Sequence, residues 1–117
     1  MKNKAFHHRL GFALAGILDS LRSENSFRFH VVAACAVLAV LLYLRPPPLW
    51  WAIIVLTVMM VLAAELINTA MEHLADHLHP EQHPRIKQVK DCAAGAVLIV
   101  SIGALGVAAA FVCEFFF

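Results

Sequence analysis

Three long apolar runs constrain the fold of this chain more than any other feature of its sequence. They cover residues 29–44, 49–64 and 92–113, and His30 is the polar residue of the first. A helix needs about 20 apolar residues to cross the hydrocarbon core of a bilayer. The third run reaches that length alone, whereas the first two need their polar flanks, 26–28 and 65–69. The sequence therefore predicts an all-α membrane protein with three spans, in which some polar side chains lie at membrane depth.

Composition agrees with that class and excludes others. Of the 117 residues, 62% are hydrophobic, which is well above the usual fraction in a soluble domain. The net charge of +1 offers no basic surface for nucleic acid. The cysteines match no zinc or redox spacing and are interpreted as small buried hydrophobes; they are Cys35, Cys92 and Cys113.

Lysine and arginine are distributed unevenly around the runs. Several precede the first run, Arg45 alone separates the first two, and three separate the second from the third: Arg85, Lys87 and Lys90. The positive-inside rule then predicts that the N-terminus and the second loop are cytoplasmic.

The predicted elements form one domain over residues 1–117. Residues 5–22 have apolar positions at intervals of three and four, which predicts an amphipathic helix on the membrane surface. A helix packed against the cytoplasmic face of a partner is the alternative. The spans are predicted over 26–45, 48–72 and 88–113. Three prolines after Arg45 end the first span and predict a tight hairpin with the second, and Trp50 and Trp51 are expected in an interfacial aromatic belt.

An acidic stripe lies at the end of the second span. Glu65, Asn68, Glu72 and Asp76 fall within about 80° of one another on a helix. Carboxylates at that spacing repel, and next to hydrocarbon they usually persist because a cation, a metal or a transferred proton occupies the site. A solvated helix end is the other interpretation, although Glu65 directly follows sixteen uncharged residues.

Other ionisable residues allow two interpretations each. Glu24 precedes Arg28 by four residues, which is compatible with a surface ion pair or with a metal ligand. Lys90 either neutralises the acidic stripe or contacts a substrate. Histidines 73, 77, 79 and 83 include a pair at zinc-binding spacing, but solvated histidines are the preferred interpretation, with His83 near a ligand.

This inventory favours phosphoryl transfer. Carboxylates, an amide and a lysine that open to the cytoplasm suit Mg²⁺ bound between protein and phosphate oxygens, and one carboxylate can accept the proton of an attacking hydroxyl. A glycine-rich phosphate loop and the soluble protein-kinase motifs are absent from the sequence. A site at the interface predicts a lipid alcohol as acceptor. The competing hypotheses are an ion or proton carrier that uses the same stripe and a membrane scaffold without chemistry.

Three blocks of sequence, 24–30, 65–73 and 90–97, resemble the motif blocks of the prokaryotic diacylglycerol kinase family. The resemblance extends over nearly the whole chain. Within the family, the Phe29-His30 pair and the residues around Asn68 and Glu72 are closer to the undecaprenol kinase branch; the diacylglycerol branch tends to an acidic residue at the position of His30. Undecaprenol and diacylglycerol both stay open as acceptors.

The resemblance implies a homotrimer in the bacterial cytoplasmic membrane, with catalytic sites between subunits and with ATP and Mg²⁺ as donor and cofactor. Glu65 would be the general base and Asn68 would support it, while Glu24 and Glu72 would hold magnesium. The nucleotide would contact these two carboxylates together with Glu81, Gln82, His83, Lys90 and Asp91. The lipid access path would be formed by Ser26, Phe27, Arg28, Phe29, His30 and Ala94.

Overall fold

A computed structural model describes residues 3–117, which form four α-helices and no β-strand. The helices are α1 (Phe6–Ser23), α2 (Asn25–Leu44), α3 (Pro48–Leu78) and α4 (Pro84–Phe116). The last three are long and apolar enough to cross a membrane. The predicted all-α class with three candidate spans is therefore confirmed, whereas the surface position of α1 and the trimer stay predictions.

The three long helices differ in length, and the difference creates an overhang. α2 has 20 residues, α3 has 31 and α4 has 33. At 1.5 Å per residue these helices measure about 30, 46 and 50 Å, against a hydrocarbon core of about 30 Å. α3 extends to Leu78 and α4 begins at Pro84, so both helices are longer than the spans predicted over 48–72 and 88–113. The end of α3 and the start of α4 thus project together beyond the first turn of α2.

The chain reverses between α2 and α3 at a turn of residues 45–47. Arg45 has φ 50° and ψ 59°, the left-handed conformation that ends many helices, and its amide donates to the carbonyl of Leu41 at 2.8 Å. Pro48 then begins α3 at a position where no amide donor is needed. This proline turn defines one end of the molecule, and the loop 79–83 defines the other, called here the site end.

The buried core lies at the proline-turn end. Leu41, Ile54 and Phe111 come from three different helices and form its centre. The Trp50 ring packs edge-on against Phe111 with 5.2 Å between centroids, and Phe115 stacks beside Phe111 at 4.6 Å. Trp50 and Trp51 pack against this core at the helix ends. Their location in an interfacial aromatic belt stays a prediction.

The helices form an open arrangement. The backbone of α3 packs along α4, whereas within residues 3–117 the backbone of α2 lies close to α3 and α1 but not to α4. Large apolar side chains therefore remain exposed along α4, with Ile99 and Leu105 each 71% exposed. All three cysteines are also exposed, so their interpretation as buried residues was wrong for the isolated chain. Surfaces of this kind are typical of a protein covered by lipid or by other subunits.

The aromatic packing at the proline-turn end is testable by truncation. Phe111→Ala removes a ring that is 7% exposed from the centre of the core, and we expect the free energy of unfolding to fall by about 3 kcal/mol because the cavity loses van der Waals contacts. Phe117→Ala makes the same change at a position that is 98% exposed and is expected to have a much smaller effect. Reversible unfolding in detergent micelles, followed by circular dichroism, measures both; equal effects would contradict this assignment of the core.

Candidate functional site at the end of the bundle

Glu65 and His30 form the deepest polar contact of the site. The Glu65 carboxylate on α3 is 6% exposed, and its Oε1 lies 2.8 Å from Nδ1 of His30 on α2. The same nitrogen lies 3.1 Å from the carbonyl oxygen of Ser26. An acid buried beside an apolar run is strongly destabilising unless it is paired. The structure provides that partner from a different helix.

Asn68 lies one helical turn beyond Glu65. Its Oδ1 atom is buried and has no hydrogen-bond partner among the described residues. A buried acceptor without a donor typically costs about 1 to 3 kcal/mol, and such groups in native structures call for an explanation. Oδ1 is thus available to accept a hydrogen bond from a ligand next to the buried carboxylate.

Glu24 and Glu72 lie nearer the water-facing part of the site, and both are half-buried. Oε1 of Glu24 is 3.4 Å from Nε2 of His73, the neighbour of Glu72 on α3. The junction between α1 and α2 therefore lies against α3 at the level of Glu72. His73 is exposed, as expected of a solvated histidine, and its contact with Glu24 lies at the surface.

Arg28 does not form the ion pair with Glu24 that their spacing allowed. Its guanidinium donates to the carbonyl oxygens of Leu21 at 2.9 Å and Arg22 at 2.7 Å and also contacts the side chain of Asn25. A cation that binds the free carbonyls at the end of a helix is stabilising there. Arg28 therefore joins α1 to α2, and Glu24 is left free of it.

Lys90 connects α4 to the acidic stripe. Its ammonium group pairs with the carboxylate of Asp76 on α3. One turn earlier on α4, Nζ of Lys87 donates to Oδ2 of Asp91 at 2.6 Å. Lys90 thus lies next to the acidic stripe, as expected from the sequence. Asp91 pairs with Lys87 of the same helix.

A cavity of about 530 Å³ opens between the end of α3, the loop 79–83 and the start of α4. Four residues expected at a nucleotide line it, namely Glu81, Gln82, His83 and Lys90. Glu24, Glu72 and Asp91 are not part of this lining. The sequence analysis did not assign Asp76, His79, Pro80, Pro84, Ile86 and Lys87 to this cavity, which they also line.

The loop beneath this cavity is held by its histidines. Nδ1 of His79 lies 2.8 Å from the carbonyl oxygen of Glu81. His83 caps α4 by accepting a hydrogen bond from the amide of Arg85 at 3.1 Å, and its ring lies 5.4 Å from that of His79. Within residues 3–117, no three His, Cys, Asp or Glu side chains are grouped closely enough to hold a metal ion. The histidines thus organise the loop through hydrogen bonds.

The residues expected along a lipid access path separate into groups. Phe27 is buried inside the subunit, whereas Ser26, Phe29 and Ala94 are exposed. Arg28 binds the end of α1 and His30 binds Glu65. Because the backbones of α2 and α4 do not approach closely in the described part of the chain, Ala94 lies apart from the α2 members of this group.

Comparison with known proteins identifies the family. The model of the prokaryotic diacylglycerol kinase family matches residues 11–112, a range that includes the buried Glu65 and all three motif blocks. The chain belongs to the prokaryotic diacylglycerol kinase family. It is therefore a lipid kinase, as predicted, with ATP as the phosphoryl donor of its family, and its apolar helices make it a membrane protein.

Three relatives illustrate the range of this kinase family. The undecaprenol kinase of Bacillus subtilis is 39% identical over 99 residues, which cover 85% of this chain and 77% of that protein. The diacylglycerol kinase of Synechocystis is 33% identical over 95 residues, covering 80% and 54% of the two chains. The diacylglycerol kinase of Pseudomonas aeruginosa is 30% identical over 89 residues, covering 76% and 72%.

The unpaired oxygen of Asn68 leads to a prediction that separates stability from activity in this kinase. Asn68→Leu removes a buried acceptor without a partner, so the free energy of unfolding is expected to stay unchanged or to rise by roughly 1 kcal/mol. Lipid phosphorylation is expected to fall at least about tenfold, since stability gained at a functional group is often lost as activity. Unfolding in micelles and transfer of labelled phosphate measure the two effects, with Asn3→Leu at an exposed position as control. A destabilised variant with full activity would contradict the prediction.

Proposed function

We propose that this lipid kinase transfers the terminal phosphoryl group of ATP to the hydroxyl of undecaprenol, with magnesium, at the cytoplasmic face of the membrane. The buried, paired carboxylate of Glu65 at the end of the apolar part of α3 is the observation that carries the reaction. The acceptor assignment is supported by the 39% identity to the Bacillus subtilis undecaprenol kinase over 85% of this chain. Diacylglycerol, named by the other relatives, is the acceptor to be tested against it.

Glu65 is suited to act as the general base. Its Oε1 is occupied by His30, which leaves Oε2 to accept the proton of a lipid hydroxyl. As that proton moves to Glu65, the hydroxyl oxygen forms a bond to the terminal phosphorus and the bond from this phosphorus to the bridging oxygen breaks, so that ADP leaves. Asn68 Oδ1, buried and unpaired, would accept a hydrogen bond beside the reacting groups and help to position them.

The water-facing carboxylates fit a hard cation. Mg²⁺ prefers a few oxygen ligands together with water and substrate phosphates, and Glu24, which is not bound by Arg28, is compatible with this use. Glu24 and Glu72 would hold the ion, and when bound it would neutralise charge on the phosphates.

The cavity at the site end is suited to the nucleotide. Its volume of about 530 Å³ lies within the range of small-ligand sites. Glu81, Gln82, His83 and Lys90 would contact the nucleotide, with Asp91 directing the cation of Lys87. Lys90 pairs with Asp76 in the structure and would exchange this carboxylate for phosphate oxygens on binding.

A trimer would complete the lipid side of the site. Ser26 and Phe29 on α2 and Ala94 on α4 are exposed and apart within one chain, so a second subunit would be needed to bring the two helices together around a lipid. The exposed apolar face of α4 supports such an assembly. The lysines and arginines around loop 79–83 support a cytoplasmic location of this end, with α1 on the same membrane surface.

Glu65→Gln tests the base directly. The substitution preserves size but removes proton acceptance, so the rate of phosphoryl transfer is expected to fall about 100- to 10,000-fold, while ATP binding persists because the cavity is untouched. The assay uses mixed micelles that contain undecaprenol and diacylglycerol in equal amounts, with labelled ATP and magnesium. Retained activity would remove Glu65 as base, and phosphorylation of diacylglycerol alone would reject undecaprenol as acceptor.

Magnesium dependence tests Glu24 and Glu72. Chelation of the ion is expected to abolish phosphoryl transfer. Glu72→Gln or Glu24→Gln is expected to raise the magnesium concentration for half-maximal activity about tenfold or more. The reason is that even groups that only support a metal ligand contribute about 10- to 100-fold to metal affinity. Glu114→Gln is the matched control, since this glutamate is exposed near the far end of α4. An unchanged magnesium requirement in both variants would rule out these two carboxylates as ligands.

A further inference from the structure

The orientation of Glu65 depends on a single side chain. Glu65 comes from α3 and has its one ion-pair contact within residues 3–117 with His30 from α2, at 2.8 Å between Oε1 and Nδ1. The residues before it on α3 are uncharged from Leu49 to Ala64, so α3 provides no cation on its apolar side. His30 therefore determines where this carboxylate points.

The contacts of His30 also determine which of its nitrogens carries a proton. Nδ1 lies 3.1 Å from the carbonyl oxygen of Ser26 as well as 2.8 Å from Glu65. A carbonyl oxygen only accepts hydrogen bonds. The contact with Ser26 therefore requires the proton on Nδ1, which donates to that carbonyl, while Oε1 of Glu65 lies beside the same nitrogen. The Ser26 carbonyl, one turn earlier on α2, orients the His30 ring, as a backbone carbonyl bonded to one ring nitrogen often does for a functional histidine.

This arrangement separates the two oxygens of Glu65. Oε1 is held by the imidazole, whereas Oε2 has no ion-pair partner among the described residues. A glutamate has several freely rotating bonds, and a displacement of about 1 Å at a reacting group can reduce a rate about 100-fold. A residue that fixes one oxygen therefore determines where the other is presented to a hydroxyl.

We propose that His30 is a positioning residue for the kinase reaction, which holds Oε1 of Glu65 through the 2.8 Å contact of its Nδ1 atom and thereby presents Oε2 to the lipid hydroxyl. This inference rests on the proposed role of Glu65 as base. The inference gives His30 a function different from the lipid contact expected from the sequence, because its Nδ1 atom already contacts Glu65 and Ser26.

The geometry of the imidazole provides a sharp test. The amide nitrogen of asparagine can occupy the position of histidine Nδ1, whereas the longer side chain of glutamine places its nitrogen near the position of Nε2. We expect His30→Leu and His30→Gln to lower kcat about 10- to 100-fold with an unchanged KM for ATP. His30→Asn should retain a clearly larger part of the rate than His30→Gln. The measurement is steady-state phosphorylation of undecaprenol in micelles, with separate kcat and KM values for both substrates.

Controls separate this role from general effects. His77→Leu replaces an exposed histidine later on α3 and should leave kcat unchanged. Thermal unfolding of each variant reports its fold; if His30→Leu is unfolded, the comparison of the asparagine and glutamine variants decides. The proposal would be overturned by equal rates for His30→Asn and His30→Gln or by a full rate for His30→Leu. A main effect on the KM for the lipid, or unfolding of all three variants, would also overturn it. An active Glu65→Gln would instead reject the general base itself, which distinguishes the two failures.

Discussion

A carboxylate that must be kept at the edge of the hydrocarbon region is the constraint on which the rest of the structure depends. Glu65 ends an uncharged stretch of α3, where an unpaired acid would be strongly unfavourable. The structure meets this requirement with an imidazole from α2, which fixes how these two helices approach each other. The same contact makes the acid a defined chemical group with one oxygen held. The pairing of the buried acid and the proposed chemistry therefore involve the same two side chains.

Helix length then separates the proposed lipid side of the site from its proposed nucleotide side. α2 is about as long as the hydrocarbon core is thick, whereas α3 and α4 extend beyond it. Glu65 is buried beside His30, whereas the ends of α3 and α4 form the open cavity together with Lys90 and the histidine-bonded loop. A reaction between a lipid alcohol and a charged nucleotide requires these two environments to adjoin.

The packing of the helices also differs between the two ends of the molecule. The core of Leu41, Ile54 and Phe111 holds the proline-turn end together, while toward the site end α1 and α2 are joined by the contacts of Arg28. Few large hydrophobic residues are buried near the acidic stripe, so that polar side chains there meet through individual contacts. Such a region can accept a ligand without a rearrangement of the core.

The sequence by itself determined the all-α class, the three candidate spans and the acidic stripe, because apolar run length and helical periodicity depend only on neighbours in the chain. The kinase family followed from the resemblance of three motif blocks to known members. Tertiary structure alone decided that His30 faces Glu65, that Arg28 binds the end of α1 and leaves Glu24 to His73, and that Asn68 keeps an unpaired oxygen. Periodicity reports which residues share a face of one helix, but not which helix lies opposite or at what level. Those partners follow from packing between α2, α3 and α4, where the lengths of the helices and the aromatic core set the register.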